Sequence, residues 1–372
     1  MTSLNNLDVY KPKINWLAGL VLACTIAFSA HESARFVGET LLGFTKSPIS
    51  SIMMAIIIGA ILGNTLSMIE TVKPGLKFCA STILRIGIML LGIRLSLTSA
   101  GLNTLLALPF VITAIAAGII TVKFFGKALG LSQPLCGLVA VGTSICGVTA
   151  IVATAPILKA NESEVSYSIA CITVFGVAAM FLYPFIGHFL FAERPILAGL
   201  FLGTSIHETA QVAGAGLMYQ SQYGSPEAFD MATITKLVRN LCMILVIPLV
   251  GILYSRDFSG DGKMRISSMI PWFIVGFVAM SGIRTIGEIG NRPFGILESG
   301  QWNDIVSTVR QIAEYCLLVA MSAIGATSAF SSIKQIGLKP FMLGLFAATV
   351  VGGAALSVIY LFGDHLVQTI LG

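Results

Sequence analysis

The chain has 372 residues, of which 56% are hydrophobic and only 10% charged, and its mean hydropathy is +0.90. A water-soluble domain carries about 25% charged residues because its surface faces water, so this composition excludes a soluble globule and makes lipid the outer solvent. The net charge of +5 comes without a basic cluster or aromatic–basic interleaving, which argues against nucleic acid as a partner and for the lysine and arginine bias of cytoplasmic membrane loops.

Lys11 and Lys13 precede the apolar run 16–30, whose Ala27-Phe28-Ser29-Ala30 resembles a signal-cleavage site. With many apolar runs following, an uncleaved first helix is expected. A span needs about 20 apolar residues. Runs at 16–30, 50–69, 78–97, 105–122, 134–158, 165–191, 196–217, 232–254, 269–286, 309–330 and 341–362 predict an all-α polytopic membrane protein of about eleven transmembrane helices. Connections are mostly short, so residues 1–372 read as a single integral membrane domain.

With a cytoplasmic N-terminus, the inner loops hold Lys11, Lys13, Lys73, Lys77, Lys123, Lys127, Arg194, Arg256, Lys263, Arg265, Lys334 and Lys339. The outer loops then hold only Arg35, Lys46, Lys159, Arg284 and Arg292. This asymmetry predicts a multi-pass inner-membrane protein with its N-terminus cytoplasmic and its C-terminus periplasmic. The seven cysteines lie in or beside apolar stretches without CxxC spacing. They indicate neither a disulfide framework nor a zinc site, and read as small packing residues.

Gly142-Thr143-Ser144-Ile145 recurs as Gly203-Thr204-Ser205-Ile206. More loosely, Leu91–Ser99 echoes Ile324–Ser332, and those two stretches would sit in opposite orientations. Inverted repeats are a signature of transporters, which hold solute near the midplane where discontinuous helices meet. The repeat halves expected here are about 50–191 and 196–363. Against this, short matches among Gly, Thr, Ser and Ile arise easily in membrane sequences.

Three regions can carry chemistry. In 136–156, glycines and hydroxyl or thiol side chains interrupt an apolar span, so Gly142, Thr143 and Ser144 are placed to unwind a helix. Unpaired backbone is unstable in lipid but useful in a solute cavity, and a half-helix N-terminus favours an anion; ordinary small-residue helix packing is the competing reading. In 203–216, His207, Glu208 and Gln211 fall inside a predicted span, where ionisable groups are expensive and usually functional. His207-Glu208-Thr209-Ala210-Gln211 resembles a zinc-protease pattern but lacks the second histidine, so neither a metal site nor a catalytic centre is expected. Glu208 reads as a proton carrier or as the partner of a nearby cation.

The third set is cationic: Arg85 and Arg94, Lys236 and Arg239 beside Asn240, and Arg310 at i,i+4 spacing from Glu314. These cations outnumber the acidic partners Glu208 and Glu314, which favours an anionic solute. Snorkelling towards the interface is the alternative for Arg85, Lys236 and Arg310. Arg94 and Arg239 are the stronger candidates for solute binding.

The stretches 142–160, 203–216 and 232–248, with 84–97, Pro271-Trp272-Phe273 and 337–345, resemble the YeiH family of bacterial membrane proteins over nearly the whole chain. That family is commonly labelled a sulfate exporter, largely by inference. It is distantly similar to cation–proton antiporters and to anion and bile-acid symporters. The resemblance implies inverted repeats with discontinuous helices that cross near the midplane. It places solute contacts on Gly142–Ser144, Gly203–Ser205, His207–Gln211, Lys236, Arg239 and Arg94. One departure stands out: Gly325 is followed by Ala326-Thr327-Ser328-Ala329 where a charged or acidic pair is expected.

The resulting expectation is a secondary active transporter, not an enzyme. It would carry a small oxyanion of the sulfate, sulfite or sulfonate class by alternating access, coupled to protons or sodium. The alternative is a sodium–proton antiporter with Glu208 as the exchanging carboxylate. An intramembrane enzyme using His207 and Glu208 ranks lower. Apart from a coupling ion no cofactor is expected, and the partners are a small anion, membrane lipid and a second copy in a homodimer.

Overall fold

The structure, a computed structural model, describes residues 7–41, 50–65, 69–254, 271–289, 293–328 and 337–371. Lys46, Arg256, Lys263, Arg265, Arg292 and Lys334, used above for orientation, lie outside the described residues, as does 329–332 of the second echo. Among the described residues every regular element is helical and none is a strand. Backbone groups inside lipid must bond within their own segment, which a helix achieves.

The chain forms two compact units. One comprises 1–96 and 275–330, the other 97–274 and 331–372. The first holds α1 (Leu7–Arg35), α2 (Ser51–Thr65), α3 (Ile69–Phe78), α4 (Leu84–Leu90), most of α13 (Trp272–Gly287) and α14 (Ser299–Thr327). The second holds α5 (Leu97–Ala128), α6 (Gln133–Ser144), α7 (Val148–Thr154), α8 (Glu162–Phe191), α9 (Pro195–Ser205), α10 (Thr209–Tyr223), α11 (Pro226–Leu241), α12 (Met243–Tyr254) and α15 (Leu338–Leu371).

Among the described residues six helices are long and apolar enough to cross a membrane, or seven when α11 and α12, bent by 47°, count as one span. The expected count of eleven is not reached on that criterion, for two physical reasons. The runs at 134–158 and 196–217 are each divided into two half-helices, α6 with α7 and α9 with α10. The runs at 50–69 and 269–286 form helices of only 15 and 16 residues.

In the first unit, small residues let helices meet backbone to backbone. A Cβ built on Gly59 would lie 2.5 Å from the Ser322 carbonyl oxygen, and one on Gly63 would lie 2.2 Å from that of Ala326. Gly19 of α1 and Gly75 of α3 make a similar crossing, and Ala23, Ile26, Leu76, Cys79, Ala323 and Ala326 fill the core between. Lipid offers no hydrophobic drive for one helix to leave it for another, so this close packing carries the association. Arg94, in the 3₁₀ turn that follows α4 and with its side chain 4% exposed, pairs with Glu314 of α14 at 3.3 Å, and Glu314 also faces Arg310 at 3.6 Å.

The second unit repeats the device. Gly199 and Gly203 of α9 lie against Ala228, Met231, Ala232 and Thr235 of α11. Gly118 of α5 receives the Ser144 hydroxyl of α6 and a methyl of Val351 from α15. The close seam between α9 and α11 places the polar end of α11 beside the end of α9.

Gly63→Ala therefore forces α2 away from α14 and should lower stability by roughly 1–3 kcal/mol. Gly353, which has no atom within 4 Å of a built Cβ, should accept Ala without loss. Thermal unfolding of the two purified variants in detergent tests this; equal melting temperatures would refute the close-packed seam.

Candidate functional site

The two Gly-Thr-Ser-Ile motifs form the same local structure. Each ends a half-helix: α6 stops at Ser144 and α9 at Ser205. Each threonine hydroxyl donates back into its own helix, Thr143 to Val139 O at 2.8 Å and Thr204 to Leu200 O at 2.7 Å. Gly142, Thr143 and Ser144 are thus the last helical residues, and the interruption falls just beyond them, at Ile145–Gly147.

The two interruptions differ in how the backbone turns. After α6, Ile145 has φ −122° and ψ −97°, and Gly147 has φ +68° and ψ −124°. Only glycine adopts that last conformation without strain. After α9, Ile206 and Glu208 are simply extended, which any residue tolerates, so no glycine marks that break.

A helix end leaves its final carbonyls without partners. Here two side chains from one helix, α11, supply them. Lys236 Nζ donates to the carbonyls of Ile145 at 2.7 Å, Ile206 at 3.1 Å, and His207. Arg239 donates through Nε to Ser144 O at 2.8 Å, through Nη1 to Thr204 O at 2.7 Å and Ile206 O at 3.1 Å, and through Nη2 to Thr143 O. Both side chains are buried, at 1% and 0% exposure. The two cations therefore satisfy six carbonyls and oppose the partial negative charge at the C-termini of both α6 and α9. All three donors of the Lys236 ammonium are engaged in this way.

The starts of the following half-helices lie together on the other side of the breaks. A Cβ built on Gly147 would meet Glu208 Cγ at 3.4 Å, so the residue before α7 touches the residue before α10. Glu208 precedes α10 with no side-chain cap onto it. Glu208 and Thr209 remain partly accessible, as do Val148 and Thr149 across from them.

Around this junction buried polar atoms lack hydrogen-bond partners within the protein: Ser205 Oγ, His207 Nδ1, Gln211 Oε1, Thr235 Oγ1 and Asn240 Oδ1. His207 and Gln211 are each 1% exposed, as is Asn240, whose Nδ2 donates to Thr209 Oγ1 at 3.0 Å. Gln211 packs onto Gly176 of α8 and donates to Thr173 O at 3.4 Å. An unpartnered buried polar group costs about 1–3 kcal/mol, and such clusters in native proteins mark places where water or ligand supplies the missing bonds.

The second unit thus brings together Gly142, Thr143, Ser144, Gly203, Thr204, Ser205, His207, Glu208, Gln211, Lys236 and Arg239. Arg94 belongs to the first unit, where its partner is Glu314. Sequence reasoning left Gly147 and Thr235 out of the site, covered Thr209 only within the stretch His207–Gln211, and set Asn240 beside the site without a role. The signal for Asn240 was available, since Lys236 and Asn240 stand one helical turn apart on a short polar face of an apolar segment.

Fold and site together define a multi-pass helical membrane protein with two interrupted helices capped by buried cations. The family described as Conserved hypothetical protein 698 matches residues 18–344. A UPF0324 membrane protein of Oceanobacillus iheyensis is 33% identical over 319 residues, covering 84% of this chain and 87% of the relative. A UPF0324 membrane protein of Yersinia pestis is 31% identical over 366 residues, 94% of each chain. The UPF0324 inner membrane protein YeiH of Escherichia coli K12 is 29% identical over 367 residues, covering 96% of this chain and 98% of the relative. The chain belongs to this UPF0324 (YeiH) family of membrane proteins, in agreement with the motif resemblance.

Arg239→Ala would strip buried hydrogen-bond partners from Thr143, Ser144 and Thr204. At about 1–3 kcal/mol per carbonyl, the loss should exceed about 3 kcal/mol. Arg239→Lys should recover only part of this, because an ammonium lacks the planar fork that reaches two helix ends. Melting temperatures in detergent should fall in the order wild type, Arg239→Lys, Arg239→Ala; an unchanged Arg239→Ala protein would refute the capping role.

Proposed function

We propose that the chain is a secondary active transporter of a small oxyanion, of the sulfate, sulfite or sulfonate class. It works by alternating access and couples to protons or sodium. The observation that carries this reading is the cluster of unpartnered buried polar atoms at the paired helix breaks. Hydrocarbon cannot satisfy Ser205, His207, Gln211, Thr235 and Asn240, so the junction favours water or a polar solute inside the bundle. Discontinuous half-helices with a nearby carboxylate are the usual means of holding solute and coupling ion in carriers.

The geometry limits what the surplus cations of α11 can do. Lys236 and Arg239 bond to backbone carbonyls, so they act on a solute through their field and not as direct ligands. Inverted repeats, an inner-membrane location with a cytoplasmic N-terminus and periplasmic C-terminus, and a homodimer belong to the same proposal. A sodium–proton antiporter is the second reading. The partly accessible Glu208 carboxylate and the free Gln211 amide oxygen favour it, since both are ligands suited to a hard cation.

Reconstitution into liposomes separates the two. Labelled sulfate or sulfite should accumulate inside under an imposed proton or sodium gradient, and Glu208→Gln should flatten the dependence on pH. Sodium–proton exchange with no movement of sulfate, sulfite or a sulfonate would replace the first reading by the second.

A further inference from the structure

At the start of α10, backbone N–H groups, uncommitted polar side chains and partial accessibility coincide. Its opening N–H groups precede the helix's own bonding ladder, and Glu208 gives them no side-chain cap. Helix N-termini bind anions through these donors and through their partial positive charge.

A further group stands at the same end. The Asn240 amide touches Thr209, the first residue of α10, and its second polar atom has no partner while the residue is 1% exposed. The Thr209 hydroxyl both donates and accepts, so the amide can turn and present its NH₂ to a ligand while still bonded to Thr209. The His207 imidazole turns the other way, to the Thr143 backbone at the end of α6, so its unpartnered Nδ1 is left as an acceptor.

Charge then decides when an anion can enter. Each helix end carries about half an elementary charge. The C-termini of α6 and α9 thus offset about one of the two charges on Lys236 and Arg239 and leave roughly one positive charge. The starts of α7 and α10 add positive charge by the same rule, so ionised Glu208, immediately before α10, does not cancel the field but sets a like charge directly beside an entering anion. Of the charged and titratable groups nearby, Lys236 from α11 and Cys146 from the facing break act on Glu208, while Arg239 acts on Lys236 and His207. From α8, Gln211's neighbour Gly176 brings no charge.

We propose that the N-terminus of α10, with Asn240, is an oxyanion seat that fills only when Glu208 holds a proton, so that one proton is carried with each anion. This rests on the oxyanion reading above and narrows its coupling ion to the proton. The proton adds to the Glu208 carboxylate as the anion binds and leaves when the anion leaves.

The test is calorimetric titration of the purified full-length protein with sulfate, and separately sulfite, in buffers of different ionisation enthalpy. One proton should be taken up per sulfate bound, and affinity should fall about tenfold per pH unit on the alkaline side, as linkage to a single proton requires. Glu208→Gln should bind sulfate with an affinity that no longer changes with pH. Asn240→Asp, which sets a fixed carboxylate at the seat, should weaken binding more than tenfold. Sulfate binding by the wild-type protein without proton uptake, or with no slope in pH, overturns this inference and leaves the oxyanion reading standing. Failure of the wild-type protein to bind either anion at acid or neutral pH overturns both.

Discussion

Six backbone carbonyls at the ends of two half-helices, held by one lysine and one arginine, are the constraint on which the second unit depends. A helix that stops inside a bilayer leaves its last carbonyls facing a medium that cannot bond them. α6 and α9 stop there, and Lys236 with Arg239 answers both ends at once. Neither the breaks nor the buried cations are tolerable alone. Without the carbonyls, two full charges would sit desolvated; without the charges, two helix ends would stay open. Each defect makes the other affordable.

That mutual dependence explains the surrounding packing. The cations reach α9 only because α11 lies against it, and α11 lies against it because Gly199 and Gly203 carry no side chain to hold it off. The contact of the Ser144 hydroxyl with Gly118 fixes the end of α6 against α5 in the same way. Small residues spaced along apolar helices are often read as filler. Here they set the approach that lets a four-carbon or three-carbon side chain span two helix termini.

Much of this was legible in the sequence, unevenly. The Gly-Thr-Ser-Ile echo marked two stretches that prove to be equivalent helix ends, with threonine hydroxyls bonded alike. His207, Glu208 and Gln211 stood out because ionisable groups inside a span are costly. The role of Lys236 and Arg239 was not legible. The carbonyls they hold lie about 30 to 100 positions earlier in the chain, and a sequence does not announce which carbonyls a break will orphan. The unwinding point was placed a few residues early for a related reason: the Gly-Thr-Ser run is itself compatible with helix, and the positive φ at Gly147 makes the turn. Arg94 was grouped with the site on its chemistry and on the family resemblance, whereas its partner Glu314 lies in the same unit through the fold of α14.

The junction is polarised. On one face, helix C-termini meet fixed cations whose hydrogen-bonding capacity is largely used. On the other, the starts of α7 and α10 meet a single partly accessible carboxylate and side chains with unmet polar atoms. A structural ion pair would close both faces, since a buried carboxylate is most stable when its oxygens are bonded. Glu208 instead sits apart from the ammonium of Lys236, which is committed to three carbonyls, and feels it only through space. A carboxylate kept near a cation yet not bonded to it retains the freedom to change its charge, and that freedom distinguishes this site from a merely well-packed polar core.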